Sequence, residues 1–199
     1  MRIRIKAEFV LLLAMMAVSG SAAIAQQTTD KPKPRAELAL SYDYLRSNAP
    51  PGGCTCFGLN GGSATFAWRV RPGGFAAVAD VSVSHASNIS SNGYDLTLGT
   101  YTAGARYTPK VGNFPLQPFG QLLVGVAHAS GSLVEGRTPA VSDANAAFAT
   151  NIGGGLDLHA GRHFSFRVLE ADYVLTTFAN GSNDHQNNLR LNAGLVLHF

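Results

Sequence analysis

From residue 35 onward, apolar and polar positions exchange at nearly every step over segments of about ten residues, the period of strands that show each face to a different environment. In the first segment Leu38, Leu40, Tyr42 and Tyr44 oppose Glu37, Ala39, Ser41 and Asp43. In the second, Ala64, Phe66 and Trp68 oppose Ser63, Thr65 and Arg69; in the third, Ala79, Val81 and Val83 oppose Asp80, Ser82 and Ser84. A fourth strand over 95–107 sets Tyr101, Ala103, Ala105 and Tyr107 against Thr100, Thr102, Gly104 and Arg106. The fifth, over 117–128, is mostly apolar, so its register stays open. The sixth, over 147–158, sets Ile152, Leu156 and Leu158 against Asn151 and Asp157. The eighth is the cleanest: Leu189, Leu191, Ala193, Leu195, Leu197 and Phe199 share one face, with Arg190, Asn192, Gly194, Val196 and His198 on the other.

The seventh strand departs from the rule. With Phe164 and Phe166 on the apolar face, strict alternation would put Glu170 and Asp172 there too. One extra residue at Val168-Leu169 repairs the pattern, so a β-bulge is expected at that point. Connections of alternating length join the eight strands. Residues 46–59, 86–94, 129–145 and 176–187 read as long loops, and 71–74, 108–115 and 159–163 as short turns.

Aromatic residues gather at two levels, with Trp68, Phe75, Tyr107, Phe119, Phe164 and Phe199 near the turns and Tyr42, Tyr44 and Tyr173 near the loops. Two aromatic girdles and unequal connections are what a bilayer selects, whereas a soluble β-sandwich needs neither. No run of 18 apolar residues follows residue 34, so no spanning helix is expected there. The fold expected is all-β: a closed eight-stranded antiparallel transmembrane β-barrel of up-and-down topology, since closure satisfies every backbone group away from water.

The N-terminal segment has a different character. Arg2, Arg4 and Lys6 precede an apolar core from Phe9 to Val18, and Ala23-Ile24-Ala25 completes a small-residue cleavage pattern. Residues 1–25 therefore read as a signal peptide, 26–34 as a polar periplasmic linker and 35–199 as the barrel domain. Composition agrees. Hydrophobic residues make up 46% and charged residues only 14%, with 22 glycines, which fits neither a disordered chain nor a helical bundle. The formal charge of +3 falls to about +1 without the leader, and no clustered basic face suggests nucleic acid. Cys54 and Cys56 flank one threonine, and an exported chain favours their pairing as a local loop disulfide. Two thiolates alone would half fill a zinc site, so no metal and no cofactor is expected.

The signal peptide, the eight amphipathic strands and the alternating last strand ending in Phe199 resemble the small outer-membrane β-barrel family, of the outer-membrane protein A/X and opacity-protein kind. The resemblance implies that Leu191, Ala193, Leu195, Leu197 and Phe199 act as the C-terminal signal read by the barrel-assembly machinery. It further implies periplasmic chaperones during biogenesis, a monomer among outer-membrane lipids and lipopolysaccharide, a periplasmic N-terminus with periplasmic turns, and extracellular loops. The peptidoglycan-binding domain of outer-membrane protein A proper has no counterpart here.

The register places Glu37, Asp43, Asp80, Asp157, Glu170 and Asp172 inside with Arg69, Arg106, Arg167 and Arg190. Eight strands leave an interior that side chains just fill, so an ion-paired plug and a structural or surface-interaction role are expected. A narrow gated channel is the alternative. A third reading is catalytic: His85-Ala86-Ser87-Asn88 matches the short His-x-Ser-Asn motif of the lipid A 3-O-deacylases, with Asp95 as the acid. In that family the motif lies near the C-terminus and the acid is Glu, whereas here the match follows the third strand, and the default is no enzyme. Gly153-Gly154-Gly155 lies in a strand pattern and reads as a site of curvature or close packing. The polar loop stretches 48–53 and 180–184 leave room for recognition on a rigid scaffold.

Overall fold

The structure, a computed structural model, describes residues 35–47, 56–70, 73–89, 93–112, 114–131, 146–178 and 185–199. Eight strands form there: β1 (Ala36–Ser47), β2 (Phe57–Arg69), β3 (Phe75–Ile89), β4 (Tyr94–Tyr107), β5 (Leu116–Ser130), β6 (Ala146–His159), β7 (Phe164–Thr176) and β8 (Gln186–His198). Each pairs antiparallel with the next, and β8 pairs with β1 to close a barrel. The signal-peptide and linker segments, Cys54 and the loop stretches 48–53 and 180–184 lie outside the described residues. Cys56 is described and exposed at the entry to β2.

Alternation in sequence becomes alternation in burial. Along β3 the side chains from Ala77 to Ala86 are in turn exposed and buried without a break. Leu40, Phe66, Val81, Tyr101, Leu122, Ile152, Phe166 and Leu195 all stand exposed on the outer wall. So wide an apolar surface would aggregate in water and is at home in hydrocarbon. The bulge forms where the charges required it. Arg167 pairs with Gly194 and Glu170 with Asn192, so Val168 and Leu169 together face one residue of β8. Both project outward, and Glu170 and Asp172 return to the interior.

Two expectations need correction. The connection assigned to 86–94 shrinks to 90–93, because β3 runs on to Ile89 and β4 starts at Tyr94. Past the apolar band an outward residue need not be apolar, so the loss of alternation after Ser84 does not mark the strand's end. A second bulge sits there: Ser87 and Asn88 oppose Asp95 between the Ala86–Leu96 and Ile89–Tyr94 pairs. Asn88 takes φ 56°, a left-handed conformation that asparagine adopts more readily than most residues.

The other correction concerns the girdle at the turns. Trp68, Phe75, Tyr107, Phe164 and Phe199 face outward as expected, with Phe75 and Tyr107 in contact at 4.8 Å between ring centroids. Phe119 does not. It is 6% exposed and points into the lumen, the inward register of the strand whose two faces are both apolar. The space comes from β6: Phe119 pairs with Gly155, where an added Cβ would come within 2.8 Å of the ring. Gly155 thus makes room for an aromatic plug.

Candidate functional site

The lumen concentrates the polar chemistry. Inward positions of all eight strands build it as a stack of layers. At the turn end Arg69 lies 3.1 Å from Glu37, and His198 lies 3.7 Å from the same carboxylate. His198 also shares a hydrogen bond of 2.7 Å with Ser165 and stacks against His159 at 5.8 Å.

The next layer joins two arginines through one glutamine and one ring. Arg167 pairs with Asp157 at 2.9 Å and with Glu170 beside it. Arg106 donates to Gln121 Oε1 from Nη2 and Nε, at 2.8 and 3.1 Å. Gln121 passes the chain on, its Nε2 donating to Glu170 at 2.7 Å. Both guanidiniums lie over Phe119, at 4.2 and 4.5 Å from its centroid. The negative ring face suits these buried cations, where water cannot reach them.

Arg190 spans the middle of the barrel. From β8 it reaches Asp172 on the neighbouring β7 at 2.8 Å and Asp80 on β3 at 2.9 Å, with Glu170 at 3.9 Å. Thr65 donates to Asp80 at 2.7 Å and Ser63 to Asp43 at 2.8 Å. Asp43 is fully buried, and its second oxygen has no hydrogen-bond partner. Asn192, its neighbour across the β1–β8 ladder, has both amide atoms likewise unpartnered. The four arginines and the five other acids named for the interior thus come together in contact networks, while Asp43 stands beside them on hydroxyl contact.

Above Arg190 the lumen turns apolar. Leu45, Leu59, Ala86, Ile89, Leu98, Ala127, Ala129, Ala149 and Val174 form one buried cluster, flanked by Phe57, Leu96 and Phe178. Sequence reasoning missed this cluster, although the inward parity of the first strand runs straight from Asp43 to Leu45. Gln186 fastens its upper rim, accepting from Phe178 N–H and donating to Phe178 O, both at 2.9 Å. Between the two regions lies a cavity of ≈ 10 Å³ lined by Leu45, Ser82, Ser84, Leu98, Thr100, Val174 and Arg190. It has room for about one water molecule.

The candidate catalytic residues sit elsewhere. His85 and Ser87 lie on β3 and Asp95 on β4, all exposed on the outer wall at the loop end. His85 Nδ1 stands 2.9 Å from Thr97 Oγ1. Among the described residues no group of three or more His, Cys, Asp and Glu side chains is arranged to hold a metal ion.

The chain superposes on Neisserial surface protein A with a TM-score of 0.61 at 14% identity, over 82% of this chain and 97% of that one. It has the fold of a small outer-membrane barrel. The attachment invasion locus protein of Yersinia pestis gives a TM-score of 0.52 at 13% identity, over 84% of this chain and 100% of that one. The same Yersinia protein in complex with the heparin analogue sucrose octasulfate gives 0.51 at 15% identity, over 83% and 99%. No family model matches the chain, and no curated protein matches it in sequence. The shared fold and the lipid-compatible wall support an outer-membrane location for this barrel.

Proposed function

We propose that this outer-membrane barrel is a sealed scaffold with a structural or surface-interaction role, holding its loops at the cell exterior rather than passing solutes. The observation that carries this reading is the double closure of the lumen. The Arg190 and Arg167 networks fill one half, and the Leu45–Leu59–Leu98–Val174 cluster fills the other. A solute would have to break buried ion pairs and part a packed apolar cluster on one path. In this reading the turns and N-terminus face the periplasm, the chain is a monomer, and assembly machinery and chaperones deliver it through the last strand.

One observation favours a narrow gated channel as the second reading. Arg190 has Glu170 in reach beside its present partner Asp172, which is the exchange of partners a gate requires. Conductance of the refolded barrel in a planar bilayer separates the two. A sealed scaffold gives no discrete steps, and its phenotype on cells depends on the loops. Resolved steps that disappear when Arg190 is replaced would overturn it in favour of the channel.

A further inference from the structure

The turn end of the lumen holds an arrangement that the arginine networks do not use. Ser165 Oγ shares its 2.7 Å hydrogen bond with His198 Nε2, and the other ring nitrogen, Nδ1, faces Glu37 Oε1 at 3.7 Å. A hydroxyl on one edge of an imidazole and a carboxylate on the opposite edge is the order of a nucleophile, its base and the acid that orients the base. The first contact lies within the reach of about 2.6–3.2 Å that such a pair requires. The second is longer, and contacts of this kind tighten when substrate binds.

The register builds this arrangement from neighbouring strands. Glu37 on β1 is the ladder partner of His198 on β8. Ser165 on β7 pairs with Val196, so His198 stands two residues further along the same inward face. His159 on β6 is the ladder partner of Ser165. Arg69 anchors Glu37 Oε1 from β2 at 3.1 Å, and His198 N–H donates to His163 O at 2.7 Å. Exposure rises from the hydroxyl outward. Ser165 is fully buried, the side chains of His198 and Glu37 are 10% and 20% exposed, and His159 is exposed. His159 stacks on His198 with 12° between the ring planes.

We propose that Ser165, His198 and Glu37 form a hydrolytic site at the turn-end mouth of the barrel, taking a short acyl ester from the periplasmic side. The side rests on the orientation given above, with the turns in the periplasm. The exposed His159 ring turns aside to admit the substrate. Ser165 Oγ attacks the acyl carbon while its proton passes to His198 Nε2, and Glu37 balances the imidazolium through Nδ1–H. His198 gives that proton to the departing alkoxide. Water then attacks the acyl–Ser165 ester and lends a proton to His198, which passes it to Ser165 Oγ as the carboxylic acid leaves. Phe119 and the guanidiniums of Arg106 and Arg167 fill the next layer of the lumen, which limits the acyl group to a short one. The site is separate from His85 and Ser87 on the outer wall, and it adds an activity to a scaffold that stays sealed.

The refolded full chain in detergent, treated with a fluorophosphonate probe and with para-nitrophenyl acetate, tests it. Peptide mapping should find the probe on Ser165, and nitrophenolate should appear over many turnovers. Ser165→Ala should abolish both, and His198→Gln should slow both about a hundredfold. Glu37→Gln should slow them less, and His159→Ala should speed labelling. Heat-dependent gel migration reports folding, and the positions are varied singly, so loss of one barrel leaves the others informative. No label on Ser165 in either the wild type or His159→Ala would overturn the site and reduce its residues to a strap between strands. Labelling that His198→Gln leaves unchanged would overturn it too. Label on Ser87 instead would move the chemistry to the outer wall, and label on Ser165 without turnover of the ester would overturn the hydrolytic step.

Discussion

In the half of the lumen nearer the turns, Arg190, Arg167 and Arg106 tie β3, β4, β5, β6, β7 and β8 together through carboxylates, one glutamine and the face of Phe119. In the half nearer the loops, Leu45, Leu59, Leu98 and Val174 meet in an apolar cluster. Both halves are buried, but they respond differently to damage. An apolar layer that loses a methyl group loses contacts in proportion, and its neighbours can relax toward the gap. A charge network that loses one cation leaves its carboxylates buried and bare. The first region is graded and the second is brittle.

Substitution at Arg190 should therefore have the largest effect. Arg190→Ala strands Asp80 and Asp172 and is expected to cost about 3–5 kcal/mol, read as a lower urea midpoint for unfolding in detergent. Leu59→Ala in the apolar layer should cost about 2–4 kcal/mol with the slope of the transition unchanged. If the two losses are equal, the contrast between brittle and graded regions fails. Asp43→Asn sharpens the comparison from the opposite side. Its carboxylate has one hydroxyl donor and no arginine within ion-pair distance, so removing the charge should raise stability by about 1–2 kcal/mol. A loss there would mean that Asp43 belongs to the arginine network after all. The smallest effect is expected from salt. Between 0.1 and 1 M sodium chloride the unfolding free energy should move by less than about 0.5 kcal/mol, because buried pairs are poorly screened. A larger fall would mean that water reaches the network.

How far the sequence carried depends on what each strand faces. In their turn-side parts β1 to β4 and β8 separate lipid from a polar lumen, so their patterns read directly there. The bulge in β7 was equally legible, since only an extra residue at 168–169 could keep Phe164 outside and Glu170 inside. β5 was not legible, because Leu122, Val124 and Val126 face out while Leu123 and Ala127 face in. Apolar residues on both faces carry no period, and Phe119 was misplaced with them. The loop-end layer was missed for a related reason, because a lumen expected to be polar gives no cue to look for leucines inside it.

The seam between β1 and β8 has a consequence for how such a wall comes into being. Arg35 and Ala36 N–H groups donate to Phe199 O at 2.8 and 3.2 Å, and Phe199 N–H donates back to Ala36 O at 2.9 Å. The residues that shut the ring are thus those farthest apart among the described residues. Until the last strand arrives, β1 displays a row of amide and carbonyl groups that hydrocarbon cannot solvate. Entry one hairpin at a time would carry that raw edge into the lipid. The ring closes only when the last strand reaches the first, and until then β1 is stable in hydrocarbon only where something else covers its edge.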